Sequence, residues 1–506
     1  MSNDFKKHLE DLNKIGIALS AEHNLDRLLE MIVRKVRHFT RADAGSLYIK
    51  EEDSLNFVVA QNDTLDRKDP GRAPFKSFKL EISKKSIAGY AALTGELLNI
   101  SDVYSLSKTT PYQFDSSFDR NMNYRTGSML VVPMKDHQDE IIGVLQLINS
   151  LNKEGNPVPF EKEYEGLVSS LASQAAVAIR NAKLIEEIKN LFKRLVEYSA
   201  SAIDARSPHT AGHSRRVATY AMRIAKAINE EKEGHFAKIN FSDEELEELN
   251  YAAWLHDIGK IGVREHVLEK SDKLSLGRME AIDNRFSYIK KSLENEVLTK
   301  KNKLYEESRY HPEIFEELDQ ALSSNLRMLE EELSFISKVN KPGFLPDDDL
   351  ERLRQIKNKS YTDIDGRERP YLTDFEFENL SVRKGNLTVK EREEIQSHVQ
   401  HTLNIVGKIP FPKNLMHIPE YAGCHHEMLN GDGYPNKLKG EEIPLQAKIL
   451  SAIDIYDALT AADRPYKKAI PTEKALDILR FEVKDNHLDK DIVELFINKK
   501  LYEGVV

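Results

Sequence analysis

The hydrophobic pattern of this chain changes near residue 160, and that change limits the folds open to it. Before it, short runs rich in β-branched residues stand between turn-forming residues: AGSLYIK, LNFVVAQ, SMLVVPM and IIGVLQLIN (44–50, 55–61, 128–134 and 141–149). Such runs are typical of strands. After it, apolar residues recur mainly at helical spacing. Because 506 residues are too many for one hydrophobic core, we expect at least two domains.

A mixed α/β module is predicted for residues 1–165. A helix precedes the first strand, since Leu25, Leu28, Leu29, Ile32, Val33 and Val36 fall on one apolar stripe. The four strand-like runs follow it. Helices and strands that alternate in this way are typical of a module with both element types packed around one core.

A long helix is predicted from about Glu163, as a connector over residues 166–200. Its apolar residues recur at three- and four-residue steps: Leu171, Ala175, Ala178, Ala182, Ile185, Phe192 and Val196. That spacing suits a coiled coil with a second copy of the chain, which would make the protein a parallel homodimer. It suits equally a helix packed on its own domain, and the sequence does not choose between the two.

Residues 201–506 form the second predicted domain, which is helical and interrupted by a charged insertion at about 271–385. KLSLGRMEAIDNRF (273–286), at the start of the insertion, aligns with NLTVKEREEIQSHV (386–399), just after it. Arg285 stands where the downstream copy has His398. We therefore expect a projecting helical hairpin that displaces the working copy of this helix downstream.

Histidine and aspartate are concentrated in four separated places of the second domain. These are HTAGHSRRV with His209 and His213, WLHDIGKIG with His256 and Asp257, EIQSHVQHT with His398 and His401, and GCHHEMLNGDGYP with His425 and His426, joined by Asp454 and Asp457 of SAIDIYDAL. Each alone has an ordinary structural explanation, but together they predict a shared metal site. Imidazole and carboxylate without thiolate suit iron, manganese, zinc or similar ions.

More than six candidate ligands exceed what one ion needs, so we expect two or three ions that share a bridging carboxylate. Asp257, next to His256 in the sequence, is the natural bridge. Two close ions would activate a water and hold both oxygens of a phosphodiester during in-line attack. Phosphoryl transfer is therefore the predicted reaction class.

These motifs resemble, in order, the signatures of the HD-GYP family, a branch of the HD-domain phosphohydrolases, over roughly residues 195–479 less the insertion. The resemblance implies hydrolysis of cyclic di-GMP to pGpG or GMP. Another cyclic dinucleotide, such as cyclic GMP-AMP, or a nucleotide is the alternative substrate. The metal ligands that it implies are His213, His256, Asp257, His398, His425, His426 and Asp454.

The resemblance leaves the metal count at two or three. His209 occupies the position at which a Glu is associated with a third ion in this family. We expect divalent cations, iron or manganese first, with zinc, nickel or magnesium as alternatives.

Asp257 and Lys260 are the predicted catalytic residues, because an ammonium one turn after the bridging carboxylate can stabilise charge on a phosphate oxygen in the transition state. By resemblance, Arg464 and Lys467 grip the phosphates, and Tyr434 lines the guanine pocket. The predicted substrate-binding residues are Lys260, Gly433, Tyr434, Pro435, Arg464 and Lys467. In this family the Gly-Tyr-Pro loop is also linked to contacts with GGDEF-domain proteins.

The N-terminal module resembles a GAF domain over roughly residues 24–182, through SIAGYAALTGELLNISDVY, RTGSMLVVPM and GVLQLINSLN. The resemblance implies an antiparallel sheet with flanking helices and a small-molecule ligand that regulates the second domain. In the signature of cyclic-nucleotide-binding GAF domains, Asn149, Phe160 and Glu165 fit, whereas Ser150 replaces Lys and Tyr164 replaces Asp. The ligand therefore stays open, as does a GAF domain used only for dimerisation or packing.

Composition limits the other function classes. A formal net charge of -10 argues against binding to nucleic-acid polymers, which are held mainly by excess Lys and Arg. The only cysteine, Cys424, suits a reducing compartment. The N-terminus lacks the apolar core of a signal peptide, and the apolar runs are too short for a membrane span, so we expect a cytoplasmic protein. A non-catalytic sensor or scaffold is the alternative of another class; its sequence signature would be lost ligand positions.

Overall fold

The computed structural model describes residues 3–22, 24–71, 73, 75–206, 212–461 and 470–505. The chain divides into two compact units, Met1–Phe192 and Lys193–Val506. Each unit has hydrophobic clusters of its own. Among the described residues, no helix combines the length and the apolar character that crossing a bilayer requires.

The first unit is built on a seven-stranded sheet in which all described pairings are antiparallel. The strands are β1 (Ala42–Glu51), β2 (Ser54–Asn62), β3 (Lys79–Glu81), β4 (Leu98–Ile100), β5 (Met129–Lys135), β6 (Ile141–Leu151) and β7 (Pro157–Val158). Six of them lie in the order β3-β2-β1-β6-β5-β4, and β7 pairs with β6. The central β1–β6 register sets Leu47 opposite Leu145, both fully buried.

Helices cover both faces of this sheet. They are α1 (Asn3–Ala21), α2 (Leu25–Thr40), α3 (Asp63–Lys68), α4 (Ile87–Thr94), α5 (Ser117–Met122) and α6 (Glu163–Arg206). Asn24 caps α2, because its side chain accepts the backbone N–H of Arg27 at 3.0 Å. One face of the sheet packs with α1, α2 and the first half of α6, and the other with α4.

The second unit is mainly helical. After the end of α6 come α7 (His213–Glu230), α8 (Asp243–Leu255), α9 (Glu265–Leu268), α10 (Leu276–Glu306), α11 (Pro312–Val339), α12 (Asp347–Lys357), α13 (Asp374–Leu380), α14 (Val389–Val406), α15 (Ile418–Gly423), α16 (Leu445–Thr460), α17 (Thr472–Lys484) and α18 (Lys490–Asn498). Ser242 and Thr388 begin α8 and α14 with capping boxes, so both helices that flank the site described below have defined starts.

The insertion has a core of its own. Its cluster of buried apolar residues runs from Leu274 to Leu380 and draws on α10, α11, α12 and α13. The chain enters and leaves at one place, since the side-chain amide of Asn386 donates to the carbonyl of Lys270. Lys270 also forms an ion pair with Glu391 of α14 at 2.7 Å.

The predicted fold class is confirmed. The four strand-like runs are β1, β2, β5 and β6, and the long helix begins at Glu163 as expected. The insertion is helical but also contains two small antiparallel pairings, β8 (Gly343–Phe344) with β11 (Lys384–Gly385) and β9 (Ser360–Thr362) with β10 (Glu368–Pro370). These strands of two or three residues are too short to give a periodic signal.

Candidate metal centre

Five segments of the second unit bring the predicted ligands together. His213 is the first residue of α7, and His256 and Asp257 lie between α8 and a short 3₁₀ turn (Ile258–Gly262). The remaining ligands come from three later segments: His398 from α14, His425 and His426 from the residues after α15, and Asp454 from α16. Residues up to 241 positions apart therefore meet in one place, as the contact of Arg216 with Asp457 also requires.

Three of the imidazoles are oriented by the main chain. Nδ1 of His256 lies 2.7 Å from the carbonyl oxygen of Ala253, Nδ1 of His398 lies 2.6 Å from that of Ile395, and Nδ1 of His425 lies 2.6 Å from that of Ala422. A carbonyl only accepts, so each Nδ1 carries the proton and donates it. When the ring is neutral, its Nε2 atom therefore carries the lone pair, and this is the form that binds a metal ion.

A first group consists of His213, His256, Asp257 and Asp454, whose ligand atoms all lie within 4.8 Å of one another. Nε2 of His213 is 3.2 Å from Nε2 of His256 and 3.3 Å from Oδ1 of Asp454. Oδ2 of Asp257 is 3.4 Å from both of these imidazole nitrogens. Two nitrogens and two oxygens converge here, as a metal site requires.

A second group consists of His398, His425 and His426, again within 4.8 Å. The Nε2 atoms of His398 and His425 are buried and have no hydrogen-bond partner among the described residues. Buried polar atoms nearly always have a partner, so two orphaned nitrogens that meet at one point indicate a ligand. This donor chemistry fits a divalent cation.

Asp257 lies between the two groups. Its Oδ2 faces His213 and His256, whereas its Oδ1 is 3.4 Å from Nε2 of His398. Asp454 has the same relationship, with Oδ1 facing His213 and Oδ2 4.0 Å from Nδ1 of His426. Two carboxylates thus have the arrangement needed to bridge two cations, one more than the sequence predicted.

The charges of the two groups differ. Burial would raise the pKa of Asp257 and of Asp454, but neighbouring groups, Lys260 first for Asp257 and His213 first for Asp454, lower both well below their usual values. Burial would lower the pKa of His213, but Asp257, Asp454 and Asp457 raise it well above its usual value. The ionised carboxylates are therefore stabilised by nearby positive charge, which a metal ion can supply in place of protons.

In the second group, burial lowers the pKa of each imidazole. The pKa of His398 falls below its usual value, that of His425 falls well below it, and that of His426 falls to about 4. Neutral imidazole at pH 7 is the ligand form. Residues of both groups therefore fit a site for divalent cations, of which the sequence predicts two or three.

Lys260 lies beside the proposed bridge. Its ammonium forms an ion pair with Oδ2 of Asp257, and its side chain is partly exposed. The turn that carries it is held by α14: Thr402 Oγ1 donates to the carbonyl of His256 at 2.9 Å and accepts the N–H of Gly259 at 3.0 Å. A Cβ on Gly259 would lie 1.9 Å from the carbonyl of His398, so only glycine permits this close approach.

The Gly-Tyr-Pro loop reaches the second group. The ring of Tyr434 lies 4.8 Å from the ring of His426. The backbone N–H of Tyr434 donates to the backbone carbonyl of His426 at 3.1 Å. Buried Glu427 holds the loop, because its carboxylate accepts the N–H groups of Asn436 at 2.6 Å and Leu438 at 2.9 Å. Gly433 packs so closely that a Cβ would lie 2.4 Å from the N of Met428.

Some residues that shape the site carry no motif of their own. Arg216 holds Asp457 against His213, Asp204 caps the start of α7, and Ser451 Oγ donates to the carbonyl of His425 at 2.6 Å. Asp204, Arg216, Ser451 and Glu427 are not among the site residues predicted from the sequence. Of these residues, Arg216 belongs to the HTAGHSRRV motif and lies one helical turn after His213, so its spacing could have indicated a role in the site.

His209, Arg464 and Lys467 fall outside the described residues. The ring of His401 packs against Gly262, leaving His398 as the member of its pair that joins the described group. Cys424 is buried with Ile443 and Ala447, and burial raises the pKa of its thiol to about 12, which agrees with the interpretation of a structural thiol.

Comparison with known proteins assigns both parts of the chain. Residues 24–179 match the family model of the GAF domain, and residues 210–339 and 376–492 match two models described as HD domain. The two HD matches lie on either side of the segment 340–375.

The curated relatives match short segments of the chain. The chain is 41% identical over 97 residues to 3'3'-cGAMP-specific phosphodiesterase 3 of Vibrio cholerae, which is 19% of this chain and 20% of that protein. It is 44% identical over 78 residues to cyclic di-GMP phosphodiesterase of the same organism, 15% of each protein. The matched segments thus span a fifth or less of these relatives' lengths. A solved GAF domain from an Acinetobacter phosphoenolpyruvate-protein phosphotransferase is 19% identical, covering 37% of this chain and 98% of that chain with a TM-score of 0.28.

Proposed function

The chain joins an N-terminal GAF domain to a helical HD domain, and from this premise we propose that it is a metal-dependent phosphodiesterase that hydrolyses a cyclic dinucleotide. One observation carries the proposal: the two oxygens of the buried Asp257 face two separate groups of ligand atoms. A carboxylate with this environment is what a two-cation phosphodiesterase requires.

The proposed ligands are His213, His256, Asp257, His398, His425, His426 and Asp454, with His209 as a further candidate. When bound, divalent cations would stabilise the charge that develops on the phosphate and make water a stronger nucleophile. Iron or manganese is proposed first, and zinc, nickel or magnesium remain alternatives.

The chain's own groups have distinct tasks in this proposal. Asp257 and Asp454 fix the spacing of the two groups of ligands, and the carbonyl-bound imidazoles keep their lone pairs directed inward. Lys260, partly exposed beside Asp257, holds a non-bridging phosphate oxygen and stabilises its growing charge. Tyr434 provides a face for a base next to His426. Arg464 and Lys467 are proposed to hold the phosphates.

Cyclic di-GMP is the proposed substrate, with pGpG or GMP as the product. The relatives named above include a cyclic di-GMP phosphodiesterase and a 3'3'-cGAMP-specific phosphodiesterase, so cyclic GMP-AMP is the second candidate. Both substrates share the phosphodiester ring that a two-cation site would attack, and they differ in one base. The residues that read the base therefore decide between them, and a nucleotide substrate is the remaining alternative.

Regulation by the GAF domain is also proposed. A cavity of about 560 Å³ in this domain is lined by aromatic side chains, including Phe57, Phe75 and Phe114, which supports a small-molecule ligand. Contact of the Gly433–Tyr434–Pro435 loop with GGDEF-domain proteins, a homodimer and a cytoplasmic location stay proposals as well.

The test is turnover by the purified, metal-loaded chain. Cyclic di-GMP, cyclic GMP-AMP and mononucleotides are offered separately with Mn²⁺ or, without air, Fe²⁺, and the products are separated by chromatography. We expect hydrolysis of a cyclic dinucleotide, and its loss in Asp257→Ala. Absence of turnover with every cyclic dinucleotide would contradict the proposal and favour a non-catalytic sensor or scaffold.

The role of Lys260 has a separate test. Lys260→Gln should keep the bound metal and lower kcat by about a hundredfold, the usual effect of removing one group that stabilises transition-state charge. Lys270→Gln is the matched control, because Lys270 pairs with Glu391 and Asn379 rather than with a proposed ligand.

A further inference from the structure

Two adjacent helices carry one histidine of each group of proposed ligands. α8 leads directly into His256, and α15 leads through Cys424 into His425. The two helices are in contact, and the rings of His256 and His425 meet edge to face with 4.9 Å between their centroids. The separation of the two groups therefore depends on how α15 lies against α8.

Each of these two rings is fixed to its own helix. Nδ1 of His256 lies 2.7 Å from the carbonyl oxygen of Ala253, and Nδ1 of His425 lies 2.6 Å from that of Ala422. In both cases the carbonyl belongs to the residue three positions before the histidine. A buried ring cannot turn without losing this hydrogen bond, which is unfavourable. A shift of either helix is therefore passed on to the Nε2 atom of its histidine.

A buried carboxylate joins the two helices upstream of these histidines. Glu248 of α8 is 3% exposed, and its Oε1 accepts the backbone N–H of His417 at 2.5 Å. Glu248 comes eight residues before His256, and His417 comes eight residues before His425. The two segments therefore run side by side in the same direction. They are joined by this contact at one level and meet in two proposed ligands at the next.

The burial of Glu248 makes this contact difficult to break. The ion-pair partner of Glu248 among the described residues is His417, whose Nδ1 lies 3.3 Å from Oε1. A buried carboxylate is unfavourable unless it is hydrogen-bonded or paired. Separating α15 from α8 would leave this carboxylate without the N–H and the imidazole of His417. The contact therefore resists a change in the relative position of the two helices.

We propose that Glu248 is a positioning residue of the metal centre, which sets the separation of the two groups of ligands through its contact with His417. This inference rests on the two-cation site of the proposed function. Two cations can share the Asp257 carboxylate only at a defined separation, because each of its oxygens faces one group. Without the contact, α15 is free to shift against α8, and His425 moves relative to Asp257.

Binding of Mn²⁺ tests this role without turnover. The metal-free full chain is titrated with Mn²⁺, and its electron paramagnetic resonance spectrum is recorded at two equivalents. In the wild type we expect the spectrum of two spin-coupled ions. Glu248→Leu has no acceptor for the N–H of His417. Its affinity for the second Mn²⁺ should fall by about 10- to 100-fold, the usual effect of losing a residue that orients metal ligands, and isolated ions should replace the coupled pair.

Two further variants separate positioning from general stability. Glu248→Gln keeps an oxygen that accepts the N–H of His417, so it should restore the coupled spectrum and most of the affinity. Glu247→Gln is the matched control and should match the wild type, because Glu247 accepts the hydroxyl of Tyr251 at 3.1 Å in a contact within α8. Helical circular dichroism is recorded for each chain. If Glu248→Leu does not fold, Glu248→Asp, which retracts the carboxylate by one methylene, takes its place.

The results separate the role of Glu248 from the two-cation site itself. A folded Glu248→Leu that binds two Mn²⁺ with wild-type affinity and coupling would overturn the proposal. Loss of the second ion in Glu247→Gln, or no recovery in Glu248→Gln, would overturn it too, because the effect would then not depend on the contact with His417. A wild-type chain that binds fewer than two Mn²⁺ would contradict the two-cation site and this inference with it.

Discussion

Asp457 contacts His213 on the side of the ring that faces away from the other proposed ligands. Its Oδ2 lies 2.8 Å from Nδ1 of His213, and Arg216 Nε donates to its Oδ1 at 2.7 Å. The carboxylate is buried and 1% exposed at its side chain. It therefore fixes the ring so that Nε2 faces the other proposed ligands, as carboxylates behind metal-bound histidines do.

Asp457→Asn should weaken metal binding by about 10- to 100-fold while the chain stays folded. The amide keeps the shape of the side chain but loses the charge that orients His213. Metal content is measured after dialysis against buffered metal, together with thermal unfolding. Asp477→Asn, which changes an exposed carboxylate paired with Arg480, is the control and should match the wild type. Equal metal content in both variants would contradict the role given to Asp457.

Asp204 ties the end of α6 to the first turn of α7. Its carboxylate accepts the N–H and the hydroxyl of Ser214, both at 3.0 Å, and Ser214 adjoins His213. Asp204→Ala leaves a buried N–H without this acceptor, which costs about 1–3 kcal/mol. We expect lower metal affinity together with a lower free energy of unfolding.

Asp204→Asn removes less of the same contact than Asp204→Ala does, because the amide oxygen still accepts one hydrogen bond. It should lie between Asp204→Ala and the wild type in metal affinity. If all three chains bind metal equally, the start of α7 does not depend on Asp204.

The insertion should lose stability in acid through Glu376. This buried carboxylate accepts two hydrogen bonds from Arg285, at 2.7 and 2.9 Å. Burial would raise the pKa of Glu376, but Arg285 and the N–H of Thr373 lower it overall. A lowered folded pKa means that the contribution is present above the unfolded value of about 4.5 and is lost as the pH falls through the folded value.

Hydrogen exchange of the α10 and α13 amides against pH measures this loss. Glu376→Gln should remove the acid step and destabilise the insertion at pH 7 by about 3 kcal/mol, because Arg285 is left without its buried partner. The control Glu330→Gln breaks the exposed pair with Lys290 and should change stability by less than about 1 kcal/mol. A pH profile of Glu376→Gln identical to that of the wild type would contradict the assignment.

Removal of the insertion should leave the metal centre folded. Residues 274–385 contain the whole buried cluster of the insertion, and the Asn386–Lys270 contact keeps the cut ends close. We replace 274–385 by a short Gly-Ser linker and measure metal content and turnover. Retained metal with changed KM would indicate that the insertion covers the substrate, and retained metal with unchanged kinetics would indicate a role elsewhere. Loss of metal would contradict an independent core.

Much of the fold could be predicted from local pattern. The strands β1, β2, β5 and β6 have β-branched runs between turn-formers, and the start of α6 has helical spacing. The site motifs are local in the same sense, because His256 and Asp257 are neighbours in the sequence. What brings them to His398 is packing of α14 on the 3₁₀ turn through Gly259, which is a long-range contact without a sequence signal.

Other features were beyond the sequence for physical reasons. Apolar residues recur at three- and four-residue steps along α6, and only burial shows that Leu171 packs inward while Ile188 is exposed. The position of Asp454 between the two groups of proposed ligands depends on which way each of its oxygens points. The partners of Nδ1 in the histidines are carbonyls, which every residue type carries.

The aligned segments in α10 and α14 differ in what their matching residues, Arg285 and His398, bind. Where α14 has His398, a proposed metal ligand, α10 has Arg285, whose partner Glu376 belongs to the same chain. A chelator should accordingly destabilise only the parts of the HD domain around α14, and the insertion should remain folded. Calorimetry of the metal-free protein should then show two separate unfolding transitions on heating. These transitions should merge or shift when the metal ions are added back.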